Sequence, residues 1–213
     1  MALLKNRAEA AEKLYSLLSE HLNDEIELLA IPRGGVPIAF VLADAIKKSI
    51  DILMVKKIGH PIHPEYAIGA VSPNSEIIDI KEGISEKYIQ TQIESLRKSF
   101  QQRYDYFMEN QKPKDIKGKT VVILDDGIAT GNSMLAAIHL VRSKEPIKII
   151  VATPVIAPET IKKLKEVADE VVYLHAPEPF ISVGTHYEEF PQLTDQQVIV
   201  QLNKARNFEK NNN

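Results

Sequence analysis

The amino-acid sequence predicts an α/β protein with a parallel sheet flanked by helices, and three observations carry that expectation. The segment Thr120-Val121-Val122-Ile123-Leu124-Asp125 is apolar on both faces, as a central parallel strand covered on each side by helices must be. Strand-like and helix-like segments alternate from Ile26 to His175, the order that builds βαβ units. Two strands run directly into Gly-containing turns, Pro32-Arg33-Gly34-Gly35 and Asp126 to Ser133, and each turn opens a helical pattern.

Taken in order, Asn6 with Glu9 three residues later resembles a capping box, and Ala11, Leu14, Tyr15, Leu18 and Leu22 follow at helical spacing. Ile26 to Ile31 reads as a buried strand, and Val36, Ala39, Phe40, Ala43 and Ile46 share one helical face beyond the glycines. A second strand is expected from Ile52 to Ile58. It runs into Gly59-His60-Pro61-Ile62-His63-Pro64, whose prolines and glycine predict a loop continuing to about Asn74. Ile77 to Ile80 reads as a short strand. Ser85 then caps a long helix whose stripe Ile89, Ile93, Leu96, Phe100 and Phe107 fits core packing or a dimer contact. After the strand at 120–125 come a helix carrying Leu135, Ile138 and Val141, a strand from Ile147 to Thr153, a helix opened by Pro158 and Glu159, and a strand from Glu170 to His175. Pro177 to Pro191 reads as loop, Thr194 with Gln197 as the capping box of a short final helix, and 207–213 as a frayed tail.

Composition limits the classes of function. Hydrophobic residues make up 44% and charged residues 26%, so a disordered or low-complexity chain is excluded, and 1–213 reads as a single domain. No apolar run approaches the roughly 18 residues of a membrane span, and Met1 to Leu4 is too short for a signal-peptide core, so the expected compartment is the cytoplasm. The absence of cysteine excludes disulfides, thiolate metal sites and a Cys nucleophile. A formal net charge of −3 argues against a broad nucleic-acid footprint, so an anionic ligand needs a local cluster of donors.

The chemistry concentrates at residues 125–133. Asp125 and Asp126 stand where the central strand ends, the place at which open α/β sheets bind ligands. Adjacent side chains diverge at a strand end, so one acid can meet a ligand while the other faces a neighbour or a metal. Were both carboxylates about 5 Å apart, an effective dielectric of about 20 gives roughly 3 kcal/mol of repulsion, which a cation or hydroxyl donors would relieve. Hard oxygens without His or Cys suit Mg²⁺ held largely through water and ligand phosphates. The small residues of Gly127-Ile128-Ala129-Thr130-Gly131-Asn132-Ser133 then expose backbone N–H groups at a helix start, with the Thr130 and Ser133 hydroxyls beside them. Hydrogen bonds from such donors to a charged phosphate contribute about 1.5–3 kcal/mol each. An acid pair for vicinal hydroxyls and a phosphate cup one sugar-length away together suit a sugar phosphate. No G-x-G-x-x-G follows a strand, and Gly131 is not followed by Lys as a G-x-x-x-x-G-K-[ST] loop requires.

The run Val121-Val122-Ile123-Leu124-Asp125-Asp126-Gly127-Ile128-Ala129-Thr130-Gly131 resembles the phosphoribosyl pyrophosphate (PRPP) signature of type I phosphoribosyltransferases: four apolar residues, two acids and a short loop ending in Thr-Gly. Ile31-Pro32-Arg33-Gly34-Gly35 occupies the place of that family's pyrophosphate loop, with Lys57 ending the next expected strand. Lys57-Ile58-Gly59, Pro64 to Gly69, and Val183-Gly184 with Tyr187 and Phe190 resemble a bacterial subgroup whose acceptor is not established. The resemblance runs from Arg7 to about Val198.

It implies a lid at about 59–72, a small hood made by N- and C-terminal segments, and transfer of ribose 5-phosphate from PRPP to a nitrogenous acceptor, or the reverse, with Mg²⁺ neutralising pyrophosphate. Asp125 and Asp126 would hold the ribose and, through water and PRPP, the metal. Residues 127–133 would hold the 5′-phosphate, and Arg33, Gly34, Gly35 and Lys57 the pyrophosphate. The implied partners are PRPP and an unidentified acceptor, with no nucleic acid and no membrane, and a homodimer is compatible. Ala129 stands where purine-salvage members carry Asp, which disfavours a 6-oxopurine acceptor. The alternative is a non-catalytic PRPP or nucleotide sensor on the same fold.

Overall fold

The computed structural model describes residues 4–21, 26–63, 67–72, 76–78, 83–109 and 111–210. Strands β1 (Ile26–Ala30), β2 (Ile50–Ile52), β6 (Thr120–Leu124), β7 (Lys148–Val155) and β8 (Glu170–His175) form a five-stranded sheet in the order β2-β1-β6-β7-β8, every pair parallel. Side-chain alternation divides its core. Leu28, Ala30, Val122, Leu124, Ile150 and Ala152 face α1 (Arg7–Leu18), α2 (Gly35–Ile46) and α6 (Asp195–Lys210) through partners such as Leu14, Leu42 and Leu202. Leu29, Val121, Ile123, Ile149 and Val151 face the opposite way, onto Ile138 and Val141 of α4 (Asn132–Arg142) and Leu164 of α5 (Pro158–Lys165). The two-faced burial expected of the strand at 120–125 follows from this layering.

From β1 the chain builds outward to β2 on one side, and from β6 to β7 and β8 on the other. The switch point therefore lies between β1 and β6, where Ala30 is paired with Leu124. The two Gly-containing turns leave the sheet from these neighbouring strand ends, so topology alone makes them adjacent.

The chain from 50 to 78 differs from the sequence reading. Residues 52–58 are not one strand: β2 ends at Ile52, and β3 (Lys56–Gly59) belongs to a separate antiparallel sheet with β4 (Ala67–Val71) and β5 (Glu76–Ile78). A continuous apolar run carries no mark of where a chain leaves one sheet for another. The expected loop from 59 to 74 contains β4, whose Ile68 and Val71 are fully buried against Ile58, Ile89 and Ile93. Pro61 sits in the bend after β3 rather than excluding the segment from a sheet, while 64–66, 73–75 and 79–82 lie outside the described residues. Ala70 packs on Ala136 and Leu140, which sets the small sheet against α4. Helix α3 (Glu86–Met108) spans both cores, with Ile89 and Ile93 under the small sheet and Tyr104, Phe107 and Met108 under the large one. Its apolar stripe is thus core.

The caps behave largely as their residue types require. The Asn6 side chain accepts from the Ala8 and Glu9 amides, and Thr194 with Gln197 forms the reciprocal capping box of α6. Ser85 precedes α3 without a side-chain cap bond. Helix α6 is longer than expected. It reaches Lys210, and Phe208, on the segment expected to fray, packs against Phe40 with ring centroids 5.6 Å apart.

Asp51 on β2 is buried among three donors: Tyr104 Oη at 2.7 Å, the Ile52 amide at 2.7 Å and the Lys114 amide at 2.8 Å. Burial pushes its carboxyl above the usual range, and the donors oppose that rise. With the folded value above the unfolded one of about 3.9, this group's stabilising contribution is complete below the unfolded value and is lost as pH rises through the folded one. The three donors limit that loss. Tyr104→Phe should therefore lower unfolding free energy at pH 7 by about 1.5–3 kcal/mol, and by less in acid where the carboxyl carries its proton. Urea denaturation at both pH values checks this, and an unchanged midpoint at pH 7 would contradict it.

Candidate active site

The β1–β6 register brings the two turns into contact. Ile31 N–H donates to Leu124 O at 2.9 Å, continuing the ladder beyond both strand ends. A Cβ on Gly35 would lie 2.2 Å from Leu124 O, and one on Gly34 would lie 2.3 Å from the Asp126 carboxylate. Only bare backbone allows this approach, which is why the pair is Gly-Gly. The Pro32–Arg33 peptide is cis.

The two acids line different cavities. The Asp126 side chain is 13% exposed and meets Arg7, whose Nε donates to Oδ2 at 2.7 Å. Arg7 Nη1 donates to Pro191 O at 2.9 Å, and the guanidinium lies 3.7 Å from the Phe190 ring centroid. Phe190 in turn stacks on Tyr187 at 4.9 Å, and Tyr187 Oη donates to the Asp126 carbonyl at 2.6 Å. Burial, with the Asp126 and Asp125 charges adding to it, holds the Tyr187 phenol well above its ordinary range, so it donates at any physiological pH.

Asp125 lines a cavity of about 200 Å³ whose remaining lining is the loop from Gly127 to Met134. Burial foremost, then the neighbouring Asp126 charge, pushes its carboxyl well above the carboxylate range. The Asp126 amide, which donates to Oδ1 at 2.9 Å, works against that rise. Such a group gains from a cation or from hydroxyl donors.

The loop is anchored from below. Ile128 N–H donates to Val155 O at 2.8 Å, Ala157 N–H to Ile128 O at 2.9 Å, and Thr160 Oγ1 to Ala129 O at 2.6 Å. Gly131 adopts φ +77°, and a Cβ there would also lie 2.5 Å from Thr160 Cγ2. The first turn of α4 begins immediately, so Asn132 and Ser133 belong to the helix, and its leading N–H groups have no partner within the helix. Ala129, Thr130, Asn132 and Ser133 are exposed at the rim.

Beside the acids, a cavity of about 410 Å³ is lined by Arg7, Arg33, Gly34, Asp126, Val183 and the segment Phe190–Leu193. Arg33 Nη1 pairs with Asp195 Oδ1 at 3.4 Å, and Arg103 on α3 reaches the same oxygen at 3.1 Å. The structure thus brings together Asp125 with residues 127–133 in one cavity, and Arg33 and Gly34 with Asp126 in the next. Lys57 is half-buried on β3 and lines neither of them. His60 and His63 stack with ring centroids 5.6 Å apart, and Glu65 lies outside the described residues. Among the described residues no three His, Asp or Glu side chains cluster as a metal site. An adjacent pair of hard carboxylates does suit Mg²⁺ that takes its other oxygens from water and a phosphate ligand.

Sequence reasoning missed Arg7, Thr160 and Arg103. Arg7 occupies the first helical position after Asn6, 119 residues from its acid, so no local spacing marks it. Thr160 lies inside a charged helix, where a buried hydroxyl has no periodic signature.

A model of the phosphoribosyl transferase domain matches residues 2–189. A Mycobacterium tuberculosis protein named "Putative phosphoribosyl transferase" is 30% identical over 210 residues, which are 96% of this chain and 47% of that protein. The chain therefore spans about half the length of that relative. The uracil phosphoribosyltransferase of Mycoplasma genitalium is 41% identical over 59 residues, 28% of this chain and 29% of that one. In structure, the Thermus thermophilus protein TT1426 superposes with a TM-score of 0.87 at 32% identity, covering 96% of this chain and 99% of that chain. With a family match that takes in both turns and the acid pair, the chain belongs to the phosphoribosyl transferase domain family.

Proposed function

We propose that this chain transfers ribose 5-phosphate from PRPP to a nitrogenous acceptor, or catalyses the reverse reaction, with pyrophosphate as the leaving group. The observation that carries the reading is the placement, at one switch point, of an acid beside an N–H-rich loop and of a second acid beside an Arg-Gly-Gly turn. The spacing suits a ligand with a phosphate at one end, vicinal hydroxyls in the middle and a second anionic group at the other.

On this reading the loop from Gly127 to Ser133 holds the 5′-phosphate through backbone N–H groups and the Thr130 and Ser133 hydroxyls. Asp125 accepts from the ribose hydroxyls, and the carboxylates of Asp125 and Asp126 oppose the positive charge that develops on the ring as the glycosidic bond lengthens. Arg33 with the Gly34 and Gly35 backbone holds the pyrophosphate, and Lys57 approaches it from the small sheet. Mg²⁺, held by Asp125 and Asp126 mostly through water and PRPP, would neutralise the leaving group. The 410 Å³ cavity under Val183 and Phe190 takes the acceptor. Ala129 offers no carboxylate to a purine proton, so a 6-oxopurine is disfavoured. Pyrophosphate release with PRPP and pooled bases, amines and nucleosides distinguishes this reaction from a sensor that only binds.

Three outcomes test the reading. Titration calorimetry should show Mg-PRPP binding that Asp125→Asn with Asp126→Asn abolishes in a still-folded chain, and retained affinity would overturn the assignment. For ribose 5-phosphate, Gly131→Val should cost far more affinity than Thr130→Ser. The former forces a β-branched residue into φ +77° against Thr160, while the latter keeps the hydroxyl, and equal losses would contradict a backbone-held phosphate. The lid should close over PRPP, which keeps water from a reactive ring carbon. Since 67–71 already bonds within the small sheet, protection from hydrogen exchange on adding Mg-PRPP should appear at Ile62 and His63 in the β3–β4 connection. Equal exchange with and without ligand would remove the lid.

A further inference from the structure

Arg7 stands outside both turns, yet it is the side chain that fixes the second acid. It is 8% exposed, and its contacts leave the guanidinium little freedom: Nε on Asp126 Oδ2, Nη1 on Pro191 O, and one face on Phe190. Burying a cation this deeply is costly unless it is paired and hydrogen-bonded, and here both conditions are met. The Asp126 carboxylate lies across Gly34, so it is confined by the pyrophosphate-side turn on one side and by Arg7 on another. The segments that carry Arg7 and its partners are themselves joined. Leu4 N–H donates to His186 O at 3.0 Å and Glu188 N–H to Leu4 O at 2.8 Å, so the N-terminal segment and the 186–191 segment form one unit reaching down to the acid.

We infer that Arg7 is a positioning residue that acts through Asp126, holding its carboxylate in the orientation that meets the ribose and pyrophosphate end of PRPP. The inference rests on the phosphoribosyl transfer reading above. It also separates the two acids: Asp125 meets the ligand from the loop side, while Asp126 is set in place by a cation delivered from the other end of the chain. Arg7 takes no part in the 5′-phosphate cup, which lies in the adjoining cavity and does not include it. A general loss of structure would weaken both ends of the site, whereas loss of positioning weakens only the acid end.

The test compares two ligands on the full chain. Mg-PRPP affinity is measured by calorimetry, and inorganic phosphate binding at the 127–133 loop by phosphorus NMR titration, for the unsubstituted chain, Arg7→Met and Arg7→Lys. Arg7→Met should weaken Mg-PRPP binding about tenfold or more while leaving phosphate binding within about twofold. Arg7→Lys restores a cation without the planar fork or its stacked face, so it should lose less Mg-PRPP affinity than Arg7→Met, about three- to fivefold, again with phosphate binding within about twofold. Unchanged Mg-PRPP affinity in Arg7→Met, or equal losses for both ligands, overturns the inference. If Arg7→Met does not fold, as thermal melting would reveal, Arg7→Lys decides: a loss confined to Mg-PRPP supports the role, and no loss overturns it. Failure of the unsubstituted chain to bind Mg-PRPP overturns the phosphoribosyl reading itself, and the inference falls with it.

Discussion

The parallel register of β1 with β6, which sets Ala30 beside Leu124, is the constraint on which the site depends. Each strand ends in a turn of small residues, and because the strands are neighbours at the switch point the turns must meet. The continued ladder from Ile31 to Leu124 and the absence of side chains on Gly34 and Gly35 let them meet at backbone distance. A one-residue slip in this register would place Asp125 and Asp126 on the wrong faces. The apolar alternation on both sheet faces fixes the register, so the same side chains that form the core also aim the site.

Electrostatics then differentiates two residues that are chemically identical. Asp126 is met by Arg7 at 2.7 Å, and its carbonyl by the Tyr187 hydroxyl at 2.6 Å. Burial foremost, and then the negative charge of its neighbour, push the Asp125 carboxyl well above the usual range, against the opposing pull of the Asp126 amide. One acid is thereby compensated from within the protein. The other is buried without a basic side chain bonded to it among the described residues, and it lines the cavity that the loop encloses. Hydroxyl donors or a cation would favour the charged form of such a carboxyl, whereas a simple anion would oppose it.

Much of this was legible in the sequence where the signal is local. Two-faced hydrophobicity at 120–125, Gly-Gly at 34–35, the caps at Asn6 and Thr194, and the acid pair before a small-residue loop each state their structural role over a few residues. What lay beyond reading was the sheet to which an apolar run belongs: 52–58 divides between two sheets, and β4 hides behind prolines and glycines that signal a loop. Long-range pairings were equally silent. Arg7 with Asp126, Thr160 with Ala129, and Asp195 with Arg33 and Arg103 join residues brought close only by the fold. The helix carrying Arg103 was correctly marked as apolar on one face, yet its polar face reaches the site because α3 runs across both cores.

The central claim is that the two turns form a single binding site for one molecule of PRPP. Backbone NMR titration with Mg-PRPP tests it directly, through the amide signals of Gly34 and Gly35 in one turn and of Gly127, Gly131 and Ser133 in the other. One site predicts that both groups shift together and fit a single dissociation constant. Shifts confined to one turn, or two separable constants, would contradict it.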